Sequence, residues 1–104
     1  RNTVAAPKKV TVEKTGIKKV KRIKKTRAKI TLKSVKGATG YVVKYSTKGK
    51  FSKKTTITKK VKKAIFTLKK LKANKKYYIK ARAYKIVDKK EYYSKWCDSK
   101  IIRR

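Results

Sequence analysis

Residues Leu71 to Tyr84, LKANKKYYIKARAY, hold the pattern that most limits what this chain can fold into. Tyr77, Ile79, Ala81 and Ala83 alternate with Tyr78, Lys80, Arg82 and Tyr84. A period of two is that of a β-strand, whose successive side chains point to opposite faces. One face is small and apolar, and the other sets two cations between two tyrosines. The segment therefore predicts a strand with one face on a core and one in water.

The alternation recurs along the chain. Ala28, Ile30 and Leu32 alternate with Lys29, Thr31 and Lys33, and after the turn glycines of VKGATG, Tyr41, Val43 and Tyr45 alternate with Val42 and Lys44. Thr47 to Lys50 reads as a turn, and the Thr- and Ile-rich stretch from Phe51 to Lys59 is expected to pair beside the Tyr41 strand. Ala64 to Leu68 gives a further strand with Phe66 and Leu68 inward. Val87 to Glu91 makes a hairpin tip, and Tyr92 to Ile102 is the last strand, with Ile101 its expected core contributor. At the other end, residues 1–7 read as a linker closed by Pro7, and residues 8–104 as the domain. Val10 and Val12 mark its first strand. Ile17, Val20 and Ile23, between Thr15 and Lys25, fit a helical face as well as an irregular edge. Seven short strands with turns about every ten residues predict an all-β antiparallel sandwich.

Two blocks carry a family resemblance. Leu71, Tyr77 six positions later, and the alternating Ile79, Ala81 and Ala83 resemble the end of strand E and strand F of a fibronectin type III domain. Ile30-Thr31-Leu32 followed by Val35-Lys36-Gly37-Ala38-Thr39-Gly40-Tyr41 resembles strand B, the turn and strand C of bacterial members. The resemblance covers Pro7 to Arg103 and is weakest from Thr15 to Lys25, where it and Gly16 favour an irregular or short strand. It implies a seven-stranded, immunoglobulin-like sandwich in which Leu71 plugs one end and the Tyr77 hydroxyl bonds a nearby backbone group, the tyrosine corner. Leu32 stands where the family usually places a core tryptophan, so a thinner core is implied. Lysine-rich modules of bacterial cell-surface proteins are the implied relatives, with an extracellular or cell-surface location and neighbouring domains in a longer chain.

Composition bounds the chemistry. The 104 residues suffice for one domain and not two. Against 37 Lys and Arg there are 4 Asp and Glu, a formal net charge of +33. One net charge then falls on about 180 Å² of surface, with neighbours about 13 Å apart, beyond the screening length of about 8 Å in physiological salt. Histidine is absent and Cys97 is the single cysteine, so neither a His/Cys zinc site nor an internal disulfide is expected. Four carboxylates in a field of 37 cations are unsuited to a hard-metal site. Nothing pairs a nucleophile with a base, and no phosphate loop is present, so an enzyme and a cofactor are not expected. No apolar run approaches the roughly 20 residues of a membrane span. Because Arg1 is not an initiator methionine, the chain is expected to be part of a longer protein and, on its charge, a monomer.

The functional signal is the lysine excess. Its plain reading is a soluble, low-specificity spacer or adhesive module; the rival is a dedicated polyanion binder, natural or engineered by supercharging. Either would attract nucleic acid, teichoic acid or sulfated glycan through charge. With 31 of the 37 cations lysine, which lacks the planar fork of arginine, sequence-specific readout is not expected. The candidate face is the outward side of the central strand, Tyr78, Lys80, Arg82 and Tyr84, beside Lys44. Such interleaving is also ordinary sheet packing. Trp96 either joins an exposed face or covers the core end, and Cys97 reads as a small half-buried hydrophobe.

Overall fold

A computed structural model describes residues 11–103. The expected linker over residues 1–7 and the Val10 end of the expected first strand lie outside them. Among the described residues eight strands form two antiparallel sheets: β1 (Ile17–Lys24), β2 (Arg27–Leu32), β3 (Gly40–Ser46), β4 (Thr56–Val61), β5 (Ile65–Leu68), β6 (Tyr77–Val87), β7 (Lys90–Tyr93) and β8 (Lys100–Ile102). One sheet runs β1-β2-β5. The other runs β4-β3-β6-β7, with β8 also on β6. The expected all-β sandwich is present, with one strand more than expected because the last strand is broken in two.

The core is where the alternation places it. Ala28, Ile30 and Leu32 from β2, Tyr41, Val43 and Tyr45 from β3, and Tyr77, Ile79, Ala81 and Ala83 from β6 are all buried together, joined by Leu68 and Leu71. Leu32 fills the position for which a tryptophan was the implied occupant. Tyr77 accepts the backbone N–H of Lys72 at 2.7 Å, forming the corner that the sequence implied. Tyr41 does the same for the buried N–H of Val35 at 2.9 Å.

Three expectations need correction. Among the described residues the first strand of the small sheet is β1, where an irregular or second short strand was expected; Thr11 to Gly16 form no strand, and Val10 lies outside the described residues. The β1 register shifts between Ile17 and Lys19 and again between Arg22 and Lys24. Each shift adds a residue to one strand, so Ile17 and Val20 reach the core side at a spacing of three, which imitates a helix. The second correction concerns the last strand. Residues 94–99 leave the ladder, and the side chains of Ser94 and Cys97 take acceptor places in it, receiving the N–H of Ala83 at 2.9 Å and of Ala81 at 3.4 Å. After this break Ile102 pairs with Tyr77 and is fully buried, whereas Ile101 pairs with Tyr78 and is 47% exposed. The third is Tyr84, expected on the exposed face and found buried. Its ring lies across its cross-strand partner Gly40, where an added Cβ would come within 2.9 Å of that ring. Only glycine leaves the ring room to lie flat there.

One polar side chain ties the sandwich end together. The Arg22 guanidinium donates to the carbonyls of Lys25 (2.5 Å), Lys72 (2.7 Å), Lys75 (2.9 Å) and Arg103 (3.2 Å), and sits 5.9 Å from the Tyr77 ring centre. It thus joins the β1–β2 turn, the β5–β6 loop and the segment after β8. At the opposite end Asp88 and Lys89, both at positive φ, form the two-residue β6–β7 hairpin turn.

Candidate cation–aromatic face

The break at Ser94 to Cys97 builds the site. With Ser94 and Cys97 held against β6, Trp96 falls over the outer face of the large sheet. There it meets Lys44, Lys80 and Arg82, whose charged groups lie 5.1, 5.1 and 4.5 Å from the indole centre. Lys44 and Lys80 are directly opposed across β3 and β6. Like charges so placed repel, and a shared aromatic face offsets part of that by about 0.5–1 kcal/mol per contact at exposed sites.

The contacts continue as a ladder. Lys80 lies 4.5 Å from the Phe51 centre, and Arg82 lies 4.1 Å from that of Tyr93 as well as near Trp96. The Tyr93 hydroxyl donates to Glu91 at 2.6 Å, Glu91 pairs with Lys60, and the Lys60 ammonium sits 5.0 Å from the Tyr84 centre. The hydrogen bonds from Lys60 and Tyr93 hold the Glu91 carboxyl below its ordinary pKa; those same bonds raise Lys60 and Tyr93. Tyr78 carries Lys76 at 5.3 Å.

The candidate residues Lys44, Tyr78, Lys80 and Arg82 therefore share one face, half-buried, while Tyr84 lies beneath it. Trp96, for which an exposed face was one of the two expected places, joins it; Tyr93, Phe51 and Lys60 complete it and were not assigned to it from the sequence. Their signal was faint: small Ser94 and Cys97 three residues apart in the last stretch. The rings on this face already hold cations of the chain itself, so the face presents charge fixed on aromatic supports.

Cations are not confined to this face. Lys19, Lys21, Lys24, Arg27 and Lys29 are exposed on the small sheet. An open cleft of about 360 Å³ at the Arg22 end adds Lys48, Lys75 and Lys76, with Thr47 and Asn74. Among the described residues Lys60–Glu91 is the only ion pair. Also among them, no three His, Cys, Asp or Glu side chains gather as a metal would require, and no helix is long and apolar enough to cross a membrane. Cys97 is buried.

No family model matches the chain, and no curated protein does. Solved structures share its shape. The fn3 domain of the human collagen alpha-1(XX) chain superposes with a TM-score of 0.66 at 13% identity, covering 94% of this chain and 91% of that one. The fold is of the fibronectin type III type. The FN1-FN3 domains of chicken CNTN1 match with a TM-score of 0.57 at 17% identity, over 89% of this chain and 33% of that chain. A run of titin domains matches at 0.52 and 12% identity, over 90% of this chain and 32% of that one. This chain thus spans about a third of those two multidomain chains, and matches a single sandwich of the fibronectin type III type.

Proposed function

We propose that the domain is a non-catalytic spacer and adhesive module of an extracellular or cell-surface protein, and that it holds anionic polymers through charge with little selectivity. One observation carries this reading: 37 cations face 4 carboxylates, and among the described residues one ion pair forms. The other described cations have no carboxylate partner, which leaves their charge available to external anions. Their spread over both sheets and one end favours low-specificity contact over a single dedicated polyanion site. The solved structures of like fold, two of them runs of domains, support a place among neighbouring domains, and the lysine-rich surface suits a bacterial cell-wall setting.

The mechanism is counterion release. Each lysine that meets a phosphate or sulfate frees a condensed ion, and the entropy so gained drives binding without a pocket. Titrations at roughly 50 mM salt against double-stranded DNA, a heparin-like glycan and teichoic acid test this. Affinities should agree to within a few-fold at matched charge density. Absence of binding to all three overturns the proposal, and a hundredfold preference for one would favour the dedicated binder.

A further inference from the structure

The outer face of the small sheet differs from the ladder face: it has cations without aromatics. Register sets Lys21 opposite Lys29 and Lys24 opposite Arg27, with Lys19 opposite Thr31. All five cations are exposed, and neither strand contains a carboxylate. The result is two adjacent rows of charge. Lys19 and Lys21 in one row, and Arg27 and Lys29 in the other, stand two residues and about 6.7 Å apart; Lys24 follows Lys21 across the second β1 register shift, and the rows stand about 4.8 Å apart.

That repeat has a chemical counterpart. Two residues of polypeptide contain six backbone bonds, and when extended they span about 7 Å. A linear phosphodiester polymer whose phosphates are joined through three carbons and two ester oxygens also has six bonds from one phosphorus to the next. An extended chain of that kind repeats its charge at the spacing at which this face repeats its cations. We propose that the outer face of β1 and β2 is a template for an extended single-stranded phosphodiester chain, lying along the strands with its phosphates between the two lysine rows. The opposed pair Lys21 and Lys29, costly when the face is bare, gains a shared counter-charge when the chain is bound. Without aromatic rings, and with Arg27 its one planar hydrogen-bonding fork, the face takes the backbone and ignores any base.

The inference rests on the reading of the domain as a polyanion binder, and one set of titrations separates the two. Lys21→Ser/Lys29→Ser is compared with Lys59→Ser/Lys63→Ser, which removes equal charge elsewhere. Both remove surface repulsion, and melting curves check that both are folded. The probes are oligothymidylate, poly(glycerol phosphate) and a heparin-like glycan. Five contacts predict a salt slope on oligothymidylate of about −3.5, falling to about −2 in the Lys21/Lys29 variant and staying near −3.5 in the other. Affinity should fall about tenfold or more in the first and about threefold or less in the second, for one or both phosphodiester polymers; which of them responds identifies the natural source. The glycan should lose equally in both variants. Equal losses on the phosphodiesters, or a glycan that discriminates as strongly, overturn the template alone. A wild-type domain that binds none of the three overturns the polyanion reading with it.

Discussion

The guanidinium of Arg82 lies between two rings, 4.5 Å from the centre of Trp96 and 4.1 Å from that of Tyr93. Neither ring is its neighbour in sequence. The broken last strand brings both to it, and Trp96 holds Lys44 and Lys80 as well. Trp96→Ala should therefore cost about 2 kcal/mol, from lost cation–π contacts and from lysine stems left without an apolar support. Urea unfolding measures it. A loss below about 0.5 kcal/mol, the lower end for one such contact, would mean that the indole supports none of the three.

Tyr77 and Tyr78 are adjacent and face opposite ways. Tyr77→Phe should destabilise by about 1–3 kcal/mol, because the part-buried Lys72 N–H would lose its acceptor. Tyr78→Phe should change stability little. Equal effects would contradict the assigned corner.

Arg22 collects four carbonyls from three segments. A lysine keeps the charge but cannot span that fork. Arg22→Lys should cost about 1.5–3 kcal/mol, the range for bonds to a charged group, and should speed amide exchange in residues 72–75 ahead of the core strands. Uniform exchange across the domain would show that Arg22 does not fasten that end.

Acid should loosen the Lys60–Glu91–Tyr93 contact. The folded-state pKa of Glu91 is lowered by its bonds to Lys60 and Tyr93, so its contribution is present above the ordinary carboxylate pKa and is lost as pH falls through the lowered value. With only 4 carboxylates in the chain, stability should be nearly flat down to about pH 4.5 and then dip slightly. The pair is exposed, so the dip is small. Glu91→Gln should abolish it, and an unchanged acid dependence in that variant would place the acid-sensitive group elsewhere.

The sandwich was legible because β2 and the first part of β6 alternate, burying every second residue up to Leu32 and Ala83, while β3 sends Tyr41, Val43 and Tyr45 to the core although Val42 is buried as well. Leu71 with Tyr77 marked the corner. Irregular backbone hid the rest. The first bulge in β1 put Ile17 and Val20 on the core side three residues apart, like a helix, whereas Ile23 is exposed. The excursion at residues 94–99 changed the phase of the last strand, exchanging Ile101 for Ile102 and lifting Trp96 onto the ladder. Tyr84 lay on the predicted face by parity yet is buried, because Gly40 opposite leaves a hollow that only its ring fills. Side-chain period is readable locally, whereas bulges and glycine hollows depend on the partner strand.

The central claim is that this surface binds through its unpaired charge. Its most direct test is the affinity for double-stranded DNA measured between roughly 50 and 200 mM salt. About five phosphates neutralised together predict a log–log slope near −4.5, at about −0.9 per contact. Replacing Lys80 and Arg82 together with Ser should lessen it by no more than about 2. A steep slope that survives this change supports binding by the whole surface. A slope near zero, or no binding at the lower salt, would contradict it.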